Sequence, residues 1–156
     1  MDIVYCSAEV APFSKAGGLG DVAQSFPVAM NKLGHNIIVL TPLYSFIKSS
    51  DFNLELIVEN ATTKLGNKIE QFSIYRSFLP NSEVAVYFIK HPYLYRDGIY
   101  VSANGEPYLD AAMRFIFFSK AIFEVLKKIQ FQPDIIHAND WHTGIVPYYL
   151  KSLFKS

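Results

Sequence analysis

Apolar residues in this chain gather into short unbroken runs, and between the runs lie longer stretches in which they recur at helical spacing. Ile3-Val4-Tyr5-Cys6, Ile37-Ile38-Val39-Leu40 and Ile135-Ile136 are such runs. They predict strands over residues 2–7, 36–41 and 134–138, each buried on both faces. Leu54 to Val58, Glu70 to Tyr75 and Val84 to Ile89 predict three further strands, the middle one with the clearer alternation. Pro80-Asn81-Ser82 supplies turn chemistry for a hairpin, since proline presets φ and the next two side chains bond locally. Val22 to Leu33 reads as a helix. From Tyr108 to Ile129, Phe115, Phe118, Ile122, Leu126 and Ile129 form one stripe opposite Lys120, Glu124, Lys127 and Lys128, which predicts a core-facing amphipathic helix. A last helix is expected to start near Asp140, to carry Trp141, Ile145, Tyr149 and Leu153 on one stripe, and to run out at Lys155-Ser156. Strands alternating with helices imply an α/β fold: a Rossmann-like, mostly parallel sheet with helices on both faces and an added hairpin. With no internal repeat and no linker, residues 1–156 are expected to form one domain.

Composition narrows the choice of partners. The chain has 156 residues, 51% of them hydrophobic and 15% aromatic, enough to fill a core. Fourteen basic and fourteen acidic residues cancel, so no global field recruits nucleic acid or an anionic membrane. Met1-Asp2 lacks the basic start of a signal peptide, and the apolar runs are too short to span a bilayer. A soluble, cytoplasmic protein is expected, without nucleic-acid or membrane partners. Cys6, the single cysteine, reads as a small buried hydrophobe.

Three clusters carry chemistry. Lys15-Ala16-Gly17-Gly18-Leu19-Gly20-Asp21 places a cation beside nearly bare backbone at the start of a helix, an arrangement suited to an anion such as phosphate. Gly18-Leu19-Gly20-Asp21-Val22-Ala23 fits the loose dinucleotide fingerprint, but Ser7 to Ala16 separates it from the first strand. The second strand also ends in Thr41-Pro42, with no acid for a ribose. A plain glycine turn with Asp21 at the positive helix end accounts for the glycines but not for Lys15.

His137-Ala138-Asn139-Asp140-Trp141-His142 follows the 134–138 run, at the sheet edge where α/β proteins bind ligands. Asn139 or Asp140 can cap the next helix. His142, in a first helical turn, is expected to be a neutral hydrogen-bonding ring suited to a sugar hydroxyl. Two histidines and a carboxylate are acceptable zinc ligands, but the spacing resembles no helical His pair, and no metal is expected. No Gly-x-Ser-x-Gly elbow is present for a hydrolytic triad.

The third cluster, His91-Pro92-Tyr93-Leu94-Tyr95-Arg96-Asp97-Gly98-Ile99-Tyr100, could line a sugar site or simply cover the core. Asp110 and Arg114, four apart on the long helix, read as a surface ion pair of small energy.

Together these motifs resemble the bacterial glycogen synthase and plant starch synthase family, which extends an α-1,4-glucan from ADP-glucose. Ser7 to Val22 is similar to its Lys-x-Gly-Gly-Leu signature, and Tyr93 to Tyr100 to its Tyr-Phe-Asp-Arg-Asp-Gly-Ile-Tyr stretch. Arg114-Phe115 and His137 to His142 resemble two further motifs, in the same order. This sequence has Tyr95, Val101 and Ala111 where the family usually has Asp, Gly and Asn.

The resemblance implies the first half of a two-domain GT-B fold. Residues 1–156 would be the amino-terminal, acceptor-side domain, without the carboxy-terminal domain that makes most nucleotide contacts. It implies that Lys15 reaches the donor phosphates, that Gly17 and Gly18 lie against the donor, and that His142 approaches the transferred glucosyl unit. It also implies that Asp110 lines the cleft, with Tyr93, Tyr95 and Arg96 toward the acceptor and Asn139 and Asp140 beside His142. Catalysis would rest on His142, Asp110 and Lys15, with ADP-glucose and α-1,4-glucan as substrates, no cofactor and no metal. Such a half would be nearly inactive unless a complementary second domain were supplied. The alternatives are a non-enzymatic module binding glucan or a partner protein, and a truncated product without function.

Overall fold

A computed structural model describes residues 1–153. The expected helix end at Lys155-Ser156 lies outside them. Six strands form one sheet: β1 (Asp2–Cys6), β2 (Asn36–Pro42), β3 (Glu55–Leu65), β4 (Lys68–Phe78), β5 (Ala85–Lys90) and β6 (Ile135–Ala138). Their spatial order is β3-β4-β5-β2-β1-β6. The pairs β1/β2, β1/β6 and β2/β5 are parallel, whereas β3/β4 and β4/β5 are antiparallel. The expected mostly parallel sheet with an added hairpin is thus observed. The hairpin strands are longer than their apolar runs because alternating residues of β3 and β4 face solvent and leave no continuous apolar signal. The turn after β4 lies where expected, with the Ser82 amide donating to the Leu79 carbonyl.

Helices cover both faces. α1 (Gly18–Lys32) packs Ala23 and Phe26 against Tyr5 and Val39, while α3 (Ala111–Lys128) packs Phe117, Phe118 and Ile122 against Val4 and Leu40. α1 starts four residues before the expected Val22, because Gly18-Leu19-Gly20 themselves make its first turn. A four-residue helix α2 (Ser49–Phe52), unforeseen from the sequence, links β2 to β3.

The helix expected from Asp140 is interrupted. A 3₁₀ turn (Trp141–Thr143) precedes α4 (Val146–Ser152). Pro147 in the first turn of α4 suits a helix start better than a helix interior. Cys6 is buried, as expected, and burial pushes its thiol pKa up. Strand β6 is the sheet's parallel edge and is only partly covered, with Ile135 exposed. Among the described residues no helix is long and apolar enough to cross a membrane.

Candidate functional site

Parallel strands end on one edge of a sheet, so the segments leaving β1, β5 and β6 meet there. The segment after β1 is held back on the fold. The Ala8 carbonyl accepts from the buried Tyr44 hydroxyl at 2.8 Å, and the Ala11 amide donates to the Gly20 carbonyl at 3.1 Å. This brings Glu9 under the glycine turn. Its Oε2 accepts from the amides of Ala16, at 2.7 Å, and Gly17, at 2.9 Å, while Oε1 accepts from the Tyr100 hydroxyl. Glu9 is only 2% exposed. Burial pushes its carboxyl pKa up, but the bonds from Tyr100, Ala16 and Gly17 outweigh that and hold it below the usual carboxylate range.

Glu9 therefore already occupies the Ala16 and Gly17 amides. The first-turn amides of α1, from Gly18 on, have no intrahelical acceptor and carry the positive end of its dipole. A Cβ at Gly17 or Gly18 would meet no described atom within 4 Å, so neither glycine is demanded by internal packing. Gly20 is different, since its Cβ would sit 3.2 Å from the Lys15 side chain and 3.3 Å from the Ser14 carbonyl. A Cβ on Gly98 would overlap the Val101 carbonyl oxygen at 1.8 Å. Lys15 lies beside the turn, half-exposed, its Nζ 2.7 Å from Asp21.

The segment after β6 is equally tied down. Asn139 donates through Nδ2 to the Cys6 and His137 carbonyls and through its backbone amide to Cys6, which seals β6 against β1. Asp140 caps the 3₁₀ turn, with Oδ1 accepting from the Trp141 amide at 2.6 Å. His142 is turned inward and is 2% exposed. Its ring stacks on Tyr100 at 5.0 Å between centroids, meets the edge of Phe115 at 4.6 Å and lies 4.1 Å from the Trp141 ring. Neither ring nitrogen has a hydrogen-bond partner among the described residues.

Burial lowers the His142 pKa and Arg114 lowers it further, against the opposing pull of Asp140 and Glu9. The ring is thus neutral at neutral pH, as expected, but the main cause is burial rather than the helix dipole. With Phe115 and Trp141 it lines a cavity of about 190 Å³. His137 does not join it, because its ring packs between Tyr5 and Phe26 on the α1 side of the sheet. Among the described residues no three His, Cys, Asp or Glu side chains are placed to share a metal ion.

The segment after β5 splits its candidates. Tyr93 packs inward near His91 and Phe117, whereas Tyr95 is exposed under the Lys90 ammonium. Tyr95 lines a separate groove of about 660 Å³ with Tyr75, Lys90 and Gln71. Asp110 does not pair with Arg114 across one helical turn. It accepts from Arg96 Nη2 at 2.9 Å, both side chains being half-exposed. Arg114 is fully buried instead, donating to the carbonyls of Tyr93 at 2.9 Å and Ile99 at 3.0 Å, with its guanidinium over Tyr108. An arginine that satisfies two non-local carbonyls in the core is a frame for the 93–99 segment, not a surface charge.

Two functional contacts escaped the sequence reading, those of Glu9 and Tyr100. A signal for Glu9 existed: it is the single charged residue in the Val4 to Phe13 stretch. A buried carboxylate must find donors.

Residues 2–156 match the family model described as the starch synthase catalytic domain. Glycogen synthase of Syntrophotalea carbinolica is 37% identical over 97% of this chain and 31% of its own length. That of Moorella thermoacetica is 40% identical over 97% of this chain and 29% of its own. Among solved structures, the catalytic domain of starch synthase IV from Arabidopsis thaliana, bound to ADP and acarbose, superposes with a TM-score of 0.86 at 27% identity. That superposition covers 97% of this chain and 30% of the other. The chain thus spans about a third of the length of the relatives it matches.

Proposed function

The chain belongs to the starch synthase catalytic domain family, and on that premise we propose that it forms one wall of a glucosyl-transfer site taking glucose from ADP-glucose to an α-1,4-glucan. The observation that carries the reading is the His142 ring, buried and without a hydrogen-bond partner among the described residues, beside a glycine turn whose outer face is bare. An unpaired buried polar group is costly. A sugar hydroxyl would satisfy it. Lys15 is placed to leave the weak pair with Asp21 for a diphosphate, and the α1 dipole adds to the offset of charge developing on the leaving group.

In this reading His142 holds the transferred glucosyl unit, Gly17 and Gly18 admit the donor, and Asn139 and Asp140 fix the His142 turn. Asp110 and Arg96 line the rim, Tyr95 offers an exposed ring toward the acceptor side, and Tyr93, packed inward, supports that segment. ADP and acarbose in the Arabidopsis structure support a nucleotide-sugar donor and a glucan-like acceptor.

Relatives are about three times longer, so the other wall is expected from a second domain. One-walled sites lose orientation as well as contacts. The test is glucose transfer by this chain alone and mixed with the complementary part of the Syntrophotalea enzyme. Transfer is expected only in the mixture and should fall about 100-fold with His142→Ala. Robust transfer by the chain alone would refute the one-wall reading.

Exposed Tyr95 and Trp141 favour a second reading, a non-catalytic glucan-binding module. Co-sedimentation with glycogen that survives His142→Ala and Lys15→Ala but not Tyr95→Ala would select it.

A further inference from the structure

Glu9 has no role in the reading above, yet it touches both halves of the site. Its two oxygens face different segments. Oε2 holds the amides of Ala16 and Gly17 after β1, and Oε1 holds the hydroxyl of Tyr100, 91 positions further along the chain. Tyr100 lays its ring on His142 with the planes 22° apart. All three groups bound to Glu9 are donors, and a carboxylate is the side chain that accepts on both oxygens without offering a proton. Glutamine would remove the charge and offer an NH₂ that the Tyr100 hydroxyl must turn round to accept, which weakens the bonds to the two amides.

We infer that Glu9 is a positioning residue: its carboxylate fixes the glycine turn and, through Tyr100, the face of His142, so that turn and ring keep one relative placement. The role rests on the proposed transfer site, in which donor phosphates meet the turn and the glucosyl unit meets His142. Other charges near the His142 ring are Asp140 on its own segment and Arg114 from α3. Among the described residues Asp140 bonds the Trp141 amide and Arg114 the Tyr93 and Ile99 carbonyls, and neither bonds the glycine turn. Glu9 is therefore the charged group shared by the turn and the ring's surroundings.

The experiment uses the isotope-labelled full chain with Glu9→Gln and Tyr100→Phe. Amide exchange at Ala16 and Gly17 and the ring signals of His142 are read by NMR, with the amides of Val4 and Ile122 as reporters of the intact core. Glu9→Gln should speed exchange at Ala16 and Gly17 by about tenfold and move the His142 ring signals. Tyr100→Phe should move the His142 signals and leave Ala16 and Gly17 within about twofold of wild type. Exchange at both amides unchanged in a folded Glu9→Gln, or His142 signals that do not move, would overturn the role.

Should Glu9→Gln fail to fold, acid titration of the wild type decides. Ala16 and Gly17 amide shifts that follow the Glu9 carboxyl support the role, and shifts independent of it refute it. ADP added to the wild type keeps the two ideas apart. Absence of binding counts against the transfer site, while the Glu9 linkage is judged by exchange and titration alone.

Discussion

The glycine turn and the His142 pocket are neighbours built on opposite terms. At the turn, Glu9 satisfies the Ala16 and Gly17 amides and Asp21 engages Lys15, so the entry to α1 is tied down from within the chain. At His142 the ring is enclosed by aromatic neighbours but its polar atoms are not matched. Three aromatic rings surround the imidazole, and both nitrogens lack a partner among the described residues. The turn spends interactions on holding a shape, whereas the pocket forgoes them and keeps a polar group ready. Preorganised backbone and an unsatisfied buried ring are complementary ways to favour a ligand over water.

The contrast can be broken most severely by removing what frames both. Arg114→Ala should cost about 3 kcal/mol, because it strips two buried carbonyls of their donor and leaves a void beneath the 93–99 segment. Urea denaturation measures it. Glu9→Ala should cost less, about 2 kcal/mol, since water can replace part of what the turn loses. A loss confined to a few tenths would mean that the carboxylate does not hold the turn.

His142→Phe should reverse the sign, adding up to about 1 kcal/mol by keeping the ring contacts and deleting the unpaired nitrogens, while abolishing transfer in the two-part assay. Destabilisation instead would show that the nitrogens are already satisfied. The pH dependence sharpens this further. Burial depresses the folded pKa of His142, so the unfolded state binds its proton first as acid is added. Wild-type stability from this group is full above about 6.5, the ordinary imidazole value, and is lost as pH falls from there toward the lower folded pKa. His91 shifts in the same direction, but it is common to both chains and cancels in the difference. The gap between His142→Phe and wild type should widen through that window, read from melts at successive pH values. The smallest effect belongs to Asp21→Asn, below about 0.5 kcal/mol, because the pair with Lys15 is half in water.

Local signals were legible and long-range ones were not. Ile37 to Leu40 and the Phe115–Leu126 stripe announce a buried strand and a core helix, since burial imposes periodicity directly on sequence. The sites at strand ends followed from topology. Arg114 was read as a surface charge because its partners, the carbonyls of Tyr93 and Ile99, are backbone atoms that leave no trace in residue type. The same holds for Glu9, two of whose three donors are amides. The helix expected from Asp140 broke for a conformational reason. Pro147 has no amide proton to continue a helix from the preceding turn, and it suits the first turn of a new one. The first turn, capped by Asp140, is thus a separate 3₁₀ turn, and α4 starts anew at Val146.

The glycines divide along a line that a genetic screen would expose. A mutant library sorted only for the amount of protein in the cell should reject changes at Gly98, where a methyl group has no room, and disfavour those at Gly20, where it is tight. It should pass Gly17 and Gly18 freely. On the proposed reading, a library sorted for transfer in the two-part assay should reject all four. The difference between the two tolerance maps would trace, residue by residue, the surface that selection reserves for a molecule other than the chain itself.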